Sequence, residues 1–174
     1  MRVVRLRFHR GLRAGAPGWG LEQDEEFLRA DTLYSALTLA ALELKGRPLP
    51  PLRLTSAFPF ANGEYYFPRP LLRHPMLERA DVRARYGRLM RELRLLNLDD
   101  FLAWLAGRHV DIEAAARREE ALRRKIRKVL RPRVALDRPR QNSALYFVTE
   151  RRFAPDGALF CLVDCAPEDW LAVE

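Results

Sequence analysis

Polar residues of the kind that bind phosphate open one predicted helix of this sequence. Asp31, Thr32 and Ser35 lie at the start of an apolar, helix-like segment that spans residues 31–45. A basic segment and a glycine-rich segment precede it, with glycines at Gly11, Gly15, Gly18 and Gly20. The start of a helix presents unpaired backbone N–H groups and the positive end of the helix dipole. This combination predicts contact with a phosphate backbone.

The sequence contains no recognisable catalytic set. It lacks a P-loop, a dinucleotide-binding glycine motif, a His-Glu-x-x-His motif and paired-cysteine metal motifs. His9 could act as a general acid or base in RNA cleavage, but a surface or packing role is favoured. Asp31 could serve as a metal or base carboxylate, but a helix-capping role is favoured. We therefore expect a protein that is not an enzyme and that binds no metal or cofactor.

The charge distribution is compatible with a nucleic-acid partner. The 174 residues carry a formal net charge of +8, with 31 basic and 23 acidic side chains. Residues 69–140 hold 20 basic and 10 acidic side chains, whereas residues 141–174 hold 2 and 6. The middle of the chain therefore produces most of the positive field, which attracts polyanions but also occurs in proteins that bind none.

The two cysteines and the absence of long apolar runs indicate the cellular compartment in which the protein is expected. Cys161 and Cys165 lie in one apolar, strand-like run, where their spacing disfavours a disulfide. Free buried thiols are favoured over a metal pair, because no further cysteine completes a zinc site. A reducing, cytoplasmic location is expected. No stretch is long and apolar enough for a membrane span, so no membrane partner is expected.

The elements that would position the polar residues begin with a strand and a helix. Residues 3–9 alternate, so Arg5 and His9 share the face opposite Leu6, either as an RNA platform or as a solvated face. Residues 31–45 then form a helix with Asp31 or Thr32 as its N-cap and with a buried stripe. The stripe comprises Leu33, Ala36, Leu37, Ala40, Ala41 and Leu44, and Gly46 follows the helix.

Two hairpins and a helical segment follow. Residues 52–60 and 64–67 form strands around the turn signal Asn62-Gly63. Residues 75–130 are helical, ending in a charged helix over 114–130. A second hairpin has strands at 132–138 and 144–150, with a polar tip at residues 139–143. A buried strand at 158–165 leads into the start of another helix at Pro167.

Three blocks in this order resemble the RAMP superfamily, and within it the Csm4 family of type III-A CRISPR effector complexes. They are residues 29–36 (RADTLYSA), residues 56–60 and 65–70 (SAFPF and YYFPRP), and residues 132–138 (PRVALDR) leading to Tyr146 and Phe153. The resemblance implies an α+β, ferredoxin-like (RRM-like) fold. Its core would comprise residues 1–70 and 131–174, with a thumb hairpin at about 133–149 and a basic helical insertion at 71–130. Family members continue beyond this point, so the second helix is expected to be truncated here.

The resemblance also implies a function and partners. Such a subunit is not a nuclease; it holds the 5′ tag of the CRISPR RNA and contacts the large Cas10 (Csm1) subunit. The Csm3 backbone subunit and the target RNA are the other expected partners, the latter through the thumb at the guide–target duplex. The RNA-binding residues would be Arg5, His9, Arg10, Arg13, Asp31, Thr32, Ser35, Arg133, Arg138, Arg140, Gln141 and Asn142.

Two alternatives to this function stay open at the level of sequence. One is a Cas6-type RAMP endoribonuclease that uses His9. The other is a purely structural adaptor that binds Cas10 through the helical insertion and touches little RNA. Reversing the charge of Arg123, Arg124 and Lys128 would then abolish assembly without altering RNA affinity.

Overall fold

The computed structural model describes residues 1–14, 27–137 and 142–166 of the chain, which form an α+β fold as expected. The helices in these ranges are α1 (Ala30–Lys45), α2 (Ala80–Glu92), α3 (Leu98–Leu105) and α4 (Ile112–Lys125). The strands are β1 (Arg2–Leu6), β2 (Leu52–Leu54), β3 (Phe58–Ala61), β4 (Glu64–Pro68), β5 (Leu95–Asn97), β6 (Ile126–Asp137), β7 (Asn142–Phe153) and β8 (Ala158–Cys165). The helical start predicted at Pro167 lies outside the described residues.

The strands form two antiparallel sheets. The larger has six strands in the order β1-β8-β3-β4-β5, and β2 also pairs with β8. β8 is therefore central, with β1 on one side and both β2 and β3 on the other. β6 and β7 form a separate two-stranded sheet, paired from Ile126↔Phe153 to Asp137↔Asn142. We call this two-stranded sheet the ribbon.

The first hairpin has the predicted turn, but its first arm is split. Asn62 and Gly63 both have positive φ, 54° and 80°, as the tight turn between β3 and β4 requires. The single strand predicted over 52–60 is instead β2 and β3. Between them, Thr55 Oγ1 accepts a 3.0 Å hydrogen bond from Leu162 N–H, so a side chain replaces part of the strand ladder.

The start of α1 differs from the prediction, whereas its end agrees. Arg29 occupies the N-cap position, with no side-chain capping bond, and Ser56 Oγ accepts from Ala30 N–H at 3.3 Å. Asp31 lies two residues after the N-cap position, and its carboxylate accepts from the adjacent Thr32 N–H at 2.6 Å. Gly46 ends the helix with φ +66°, and its N–H donates to Leu42 O.

Only a narrow stripe of α1 packs against the sheet. Leu33 and Ala41 are buried and Leu37 is half-buried. Leu33 and Leu37 belong to one cluster with Leu159 and Cys161 of β8. Ala36 and Ala40 are exposed, and Leu44 is 83% exposed, so the predicted broad buried stripe is wrong at these positions. The spacing i, i+4, i+8 describes the contact better, because one helix on one sheet face buries about one row of side chains.

The helical segment has its own core but also contributes a strand. Met90, Leu93, Leu96, Trp104 and Ile112 form a buried cluster among α2, α3 and α4. β5 interrupts the segment and pairs with β4, which joins these helices to the larger sheet. The assignment of residues 71–130 as a basic helical insertion stays a prediction.

The charged helix predicted over 114–130 ends earlier. α4 stops at Lys125, and Ile126 begins β6 without an intervening loop. Lys125 O accepts from Ala154 N–H at 2.8 Å, and residues 126–130 pair with 149–153. Pairing with β7, far along the chain, therefore overrides the local helical pattern, and the ribbon is longer than the hairpin predicted.

His74 is a buried residue that joins two parts of the helical segment. It is 2% exposed, and its ring lies 4.7 Å from Trp104 between centroids. Its Nδ1 accepts from Met76 N–H at 3.2 Å, and its Nε2 lies 2.9 Å from Arg108 O. The histidine thus joins the chain before α2 to the turn after α3.

The cysteines are free thiols, as expected. Cys161 is buried, Cys165 is half-buried, and the pair shares the core cluster under α1. Burial raises the pKa of the Cys161 thiol, which keeps it protonated at neutral pH. No helix within the described ranges is long and apolar enough to cross a membrane.

Candidate nucleic-acid interface

A basic groove lies between the segment after β1 and one face of the ribbon. It consists of two adjoining depressions, of about 400 and 690 Å³, that share Gly11, Arg133 and Glu150. Its charged or titratable lining residues are His9, Arg10, Arg13, Arg131, Arg133, Glu150 and Arg152. We call this depression the groove. The face of the ribbon that lines it carries the register pairs Arg131↔Val148 and Arg133↔Tyr146.

Two contacts hold the walls of the groove together. Phe8, just after β1, stacks on Phe153, the last residue of β7, with ring centroids 5.0 Å apart. Leu12 and Arg151 exchange backbone hydrogen bonds of 2.9 and 2.7 Å. The segment after β1 therefore joins the base of the ribbon through an isolated antiparallel β-bridge, and this fixes the position of residues 9–13.

Among the described residues, the lining of the groove has one carboxylate, and it pairs with arginines. Glu150 Oε1 lies 2.6 Å from Arg131 Nε and 3.0 Å from Arg152 Nε, and the side chain is 13% exposed. A Cβ at Gly11 would lie 2.6 Å from the Glu150 carboxyl carbon, so the absence of a side chain at Gly11 allows this close approach. The carboxylate thus sets the direction of two guanidinium groups.

The electrostatics of the groove favour an anion with several charges. Five arginines line it against one carboxylate, which leaves a large excess of positive charge in one open depression. Guanidinium groups bind phosphate oxygens through paired N–H donors. Phe8, Phe153 and Tyr146 add ring surface beside these donors. The groove can therefore hold a phosphate backbone and contact its bases or sugars.

The structure brings together four of the residues predicted from the sequence. His9, Arg10, Arg13 and Arg133 all line the groove, although they are more than 100 positions apart in the chain at the extremes. Their role in RNA binding stays a prediction.

The remaining predicted residues lie elsewhere. Arg5 lies on the face of the larger sheet opposite α1, with its guanidinium 5.0 Å from the centre of the Phe60 ring. Asp31, Thr32 and Ser35 are exposed on the first turns of α1 and do not belong to the lining of the groove. Arg138, Arg140 and Gln141 lie outside the described residues, and Asn142 is described only as the first residue of β7.

Sequence reasoning missed Arg131 and Arg152. Both lie on the same ribbon face as Arg133, because alternate residues of a strand share a face. Arg127, Val129, Arg131 and Arg133 occupy every second position, a spacing that indicates one face of a strand and could have revealed these arginines. The prediction of a helix up to residue 130 obscured this strand-like spacing.

The opposite face of the ribbon is apolar beyond its base. Leu130, Val134, Leu145 and Phe147 lie on it, and they are 55%, 57%, 64% and 38% exposed. We call these four side chains the apolar face. An exposed group of large apolar residues in adjacent register positions is typical of an interaction surface.

Among the described residues, the titratable groups whose pKa is shifted lie outside the groove. Burial and the 2.7 Å hydrogen bond to Glu64 raise the pKa of Tyr66. Burial also raises the pKa of Asp100, although Arg118 lies 2.7 Å away and opposes the shift. Within the described ranges, no cluster of three or more His, Cys, Asp or Glu side chains could hold a metal ion.

Solved structures identify the class to which this fold belongs. A crystal structure of a Csm1–Csm4 cassette in complex with cA4 matches 98% of this chain with a TM-score of 0.63 and 24% identity, covering 63% of that chain. A crystal structure of a Csm3–Csm4 subcomplex of a type III-A CRISPR-Cas interference complex matches 99% with a TM-score of 0.60 and 14% identity, covering 61% of that chain. The fold is thus that of chains found in type III CRISPR complexes.

The sequence comparison identifies the particular family. A Csm4 protein of a CRISPR system in Thermococcus onnurineus (strain NA1) is 32% identical over 77% of this chain. The chain belongs to the Csm4 family. It spans 49% of the length of that relative. Models of known protein families give no match to the chain.

Proposed function

We propose that this chain is a non-catalytic, RNA-binding subunit of a type III-A CRISPR interference complex. It holds the 5′ tag of the CRISPR RNA and contacts the Cas10 (Csm1) and Csm3 subunits. Family membership supports this, since the similar solved structures are complexes of Csm4 with Csm1 or with Csm3.

The groove is the observation that carries the proposal. Its five arginines converge from two distant parts of the chain onto one depression, and among the described residues the only lining carboxylate pairs with two of them. A single strand of RNA presents one phosphate per nucleotide, so several guanidinium groups along one groove can each meet a phosphate. His9 lies among these arginines and acts as a backbone contact rather than as a catalyst.

The topology supports a ferredoxin-like core. β1, α1 and the β2/β3 arm follow one another in the chain, and β8 then inserts between β1 and that arm. This is the arrangement of the first three strands of a ferredoxin-like βαββαβ unit, with the helices α2–α4 and the ribbon inserted before the third strand.

The ribbon corresponds to the proposed thumb. A two-stranded ribbon of 12 residues per strand extends from the core, with one charged face and one apolar face. Apolar side chains pack against bases that have lost their stacking neighbours, and charged side chains meet the backbone. The ribbon therefore contacts the guide–target duplex by its apolar face while the groove holds the guide strand.

The test is binding of guide RNA with and without its 5′ tag, by this chain alone and mixed with Cas10, at two salt concentrations. We expect tag-dependent binding that weakens in higher salt and strengthens with Cas10. Equal binding of tagged and untagged RNA would contradict a role at the tag. Cutting of the RNA by the chain, lost in His9→Ala, would favour the endoribonuclease instead.

The adaptor alternative has its own support in the apolar face, because such a surface also suits a protein partner. Charge reversal at Arg10 and Arg133 separates the two functions. Loss of RNA binding with unchanged Cas10 binding favours the RNA-binding subunit. Unchanged RNA binding by the reversed variant favours the adaptor.

A further inference from the structure

The outer side of β1 is an open strand edge. β1 pairs with β8 on one side, and among the described residues no strand pairs with its other side. A strand at the edge of a sheet presents backbone N–H and C=O groups that can pair with a further strand. We call this outer side of β1 the β1 edge.

The hydrogen bonds of β8 show which residues present these groups at the β1 edge. Leu162 of β8 donates its N–H to Thr55 Oγ1 and accepts from Thr55 N–H, both at 3.0 Å, so its backbone groups point away from β1. Leu162 lies opposite Val3 in the register, and the two therefore form a pair without mutual hydrogen bonds. The backbone groups of Val3, and of Arg5 two residues further on, point outward at the β1 edge.

The two faces of β1 set the side-chain pattern of a strand that would fit beside it. Val4 and Leu6 are half-buried and pack against the core under α1, so a further strand with apolar side chains on this face would extend that core. On the opposite face, Arg5 is exposed, and Arg7 is exposed just beyond the strand. The guanidinium of Arg5 lies over the ring of Phe60, at 5.0 Å from its centre.

The charges beside the β1 edge distinguish between the strands that could pair with it. Residues 1–14 contain basic but no acidic side chains. Pairing with the same edge of a second copy would bring the arginines of both copies together, and like charges on neighbouring strands are unfavourable. Basic side chains protect natural edge strands against such self-pairing. A strand with acidic side chains on the same face as Arg5 forms favourable cross-strand pairs instead.

We propose that the β1 edge binds an extended segment of a partner protein, in which apolar and acidic side chains alternate, as an added antiparallel strand. Its backbone exchanges hydrogen bonds with Val3 and Arg5. Its apolar side chains lie beside Val4 and Leu6, and its carboxylates lie beside the arginines. An RNA strand lacks the regularly spaced N–H and C=O groups that this edge pairs with. The inference goes beyond the proposed function and does not depend on RNA binding in the groove.

The experiment uses the 174-residue chain and a short, capped, fluorescent peptide of alternating valine and glutamate. Fluorescence anisotropy measures its affinity, and a peptide with lysine in place of glutamate is the charge control. We expect the glutamate peptide to bind about tenfold more tightly than the lysine peptide, because its charges oppose those of the edge. In hydrogen-exchange measurements, the glutamate peptide should slow exchange at the N–H groups of Val3 and Arg5.

Methylation of the peptide backbone separates strand pairing from charge attraction. In the added strand the glutamates lie opposite Val3 and Arg5, so their N–H groups donate to the edge, whereas the valine N–H groups point away from it. N-methylation of two glutamates should lower the affinity about 30-fold, as the loss of two hydrogen bonds implies. N-methylation of two valines is the matched control and should leave the affinity unchanged.

Two variants make the corresponding changes in the chain. Val3→Pro removes one N–H from the β1 edge and spares the ladder with β8, a position at which edge strands accept proline. It should lower the affinity for the glutamate peptide about fivefold, with an unchanged circular dichroism spectrum. Arg5→Glu with Arg7→Glu keeps the backbone groups and should reverse the preference, so that the lysine peptide binds more tightly.

Four results would overturn the proposal. The first is no binding of the glutamate peptide, and the second is equal binding of the glutamate and lysine peptides. The third is an equal loss of affinity for both methylated peptides, because strand pairing would then not hold the segment. The fourth is self-association of the chain that Val3→Pro abolishes, which would make a second copy the occupant of the β1 edge. Slowed exchange at Val3 and Arg5 with single-stranded RNA but not with the peptide would assign the edge to RNA and also overturn it.

Discussion

The two faces of the ribbon share the same two strands but differ in chemistry. On the groove face, Arg131, Arg133 and Arg152 lie around Glu150, which pairs with Arg131 and Arg152. On the opposite face, Leu145 and Phe147 face solvent and only the base carries charge, at Lys128 and Arg151. Strand alternation alone produces this separation.

The difference shows why the two faces call for different partners. A charged face is well solvated, and its binding free energy comes mainly from a polyanion that binds with release of counterions. An apolar face contributes binding free energy when it is removed from water, at roughly 25 cal/mol per Å² of apolar surface buried. One ribbon can therefore hold an RNA backbone on one side and unstacked bases on the other.

Reversing the groove charges should have the largest effect. Arg131→Glu with Arg133→Glu removes two guanidinium contacts and should lower the affinity for single-stranded guide RNA by roughly 100-fold, at about 1.5 kcal/mol for each charged contact. Fluorescence anisotropy measures this directly. The matched control, Arg73→Glu with Arg83→Glu, carries the same charge change at exposed positions elsewhere. Equal losses in both variants would show that only net charge matters.

Removing the aromatic contact between Phe8 and Phe153 should destabilise the base of the ribbon, which both of its faces share. Phe153→Ala deletes the ring that stacks on Phe8 at the base of the ribbon. Both rings are half-buried, so the free energy of unfolding should fall by about 2 kcal/mol, below the range for a fully buried ring. Urea denaturation measures the change. Unaltered stability would mean that the Leu12–Arg151 backbone bonds alone hold the ribbon in place.

Polar substitutions on the apolar face should lower the affinity for the guide–target duplex but not for single-stranded RNA. Leu145→Ser with Phe147→Ser removes two exposed apolar side chains and should lower the affinity for the guide–target duplex by about tenfold, from lost apolar burial. Affinity for the single-stranded guide should stay the same. A parallel loss of both affinities would show that the two faces do not bind separate parts of the RNA. Leu39→Ser on exposed α1 serves as the control.

Neutralising the groove carboxylate should have the smallest effect, and in the opposite direction. Glu150→Gln removes the one negative charge from the lining and releases Arg131 and Arg152 for phosphate. Affinity for RNA should rise about threefold, less than one charged contact is worth. Glu120→Gln, on exposed α4, should leave it unchanged. A fall in affinity for Glu150→Gln would mean that the carboxylate is needed to aim the two arginines.

The sequence predicts local features of the fold better than distant ones. Asn62-Gly63 and Gly46 act through their own backbone angles, and both were correctly assigned to a turn and a helix end. The alternation in residues 3–9 correctly placed Arg5 opposite Leu6, which packs into the core. The helix predicted up to residue 130 failed, because β7 pairs with residues 126–130 from more than 18 positions away.

The site was predictable to the extent that its residues were basic and near a predicted strand. His9, Arg10, Arg13 and Arg133 were found on those grounds. Their meeting in one groove depends on the Phe8–Phe153 stack and the Leu12–Arg151 bonds, which no local pattern reveals. Asp31 and Thr32 carry a phosphate-binding pattern but lie on α1, outside the groove, and their role in RNA binding stays a prediction.

The salt dependence of RNA affinity tests the central claim most directly. If the groove arginines bind phosphates, the logarithm of the affinity for a single-stranded guide falls linearly with the logarithm of salt concentration, by roughly 0.7 per contact. We predict a slope steeper than about −2 for the wild-type chain, and one shallower by about 1.4 in Arg131→Glu with Arg133→Glu. An affinity independent of salt, or an identical slope in both proteins, would contradict phosphate binding in the groove.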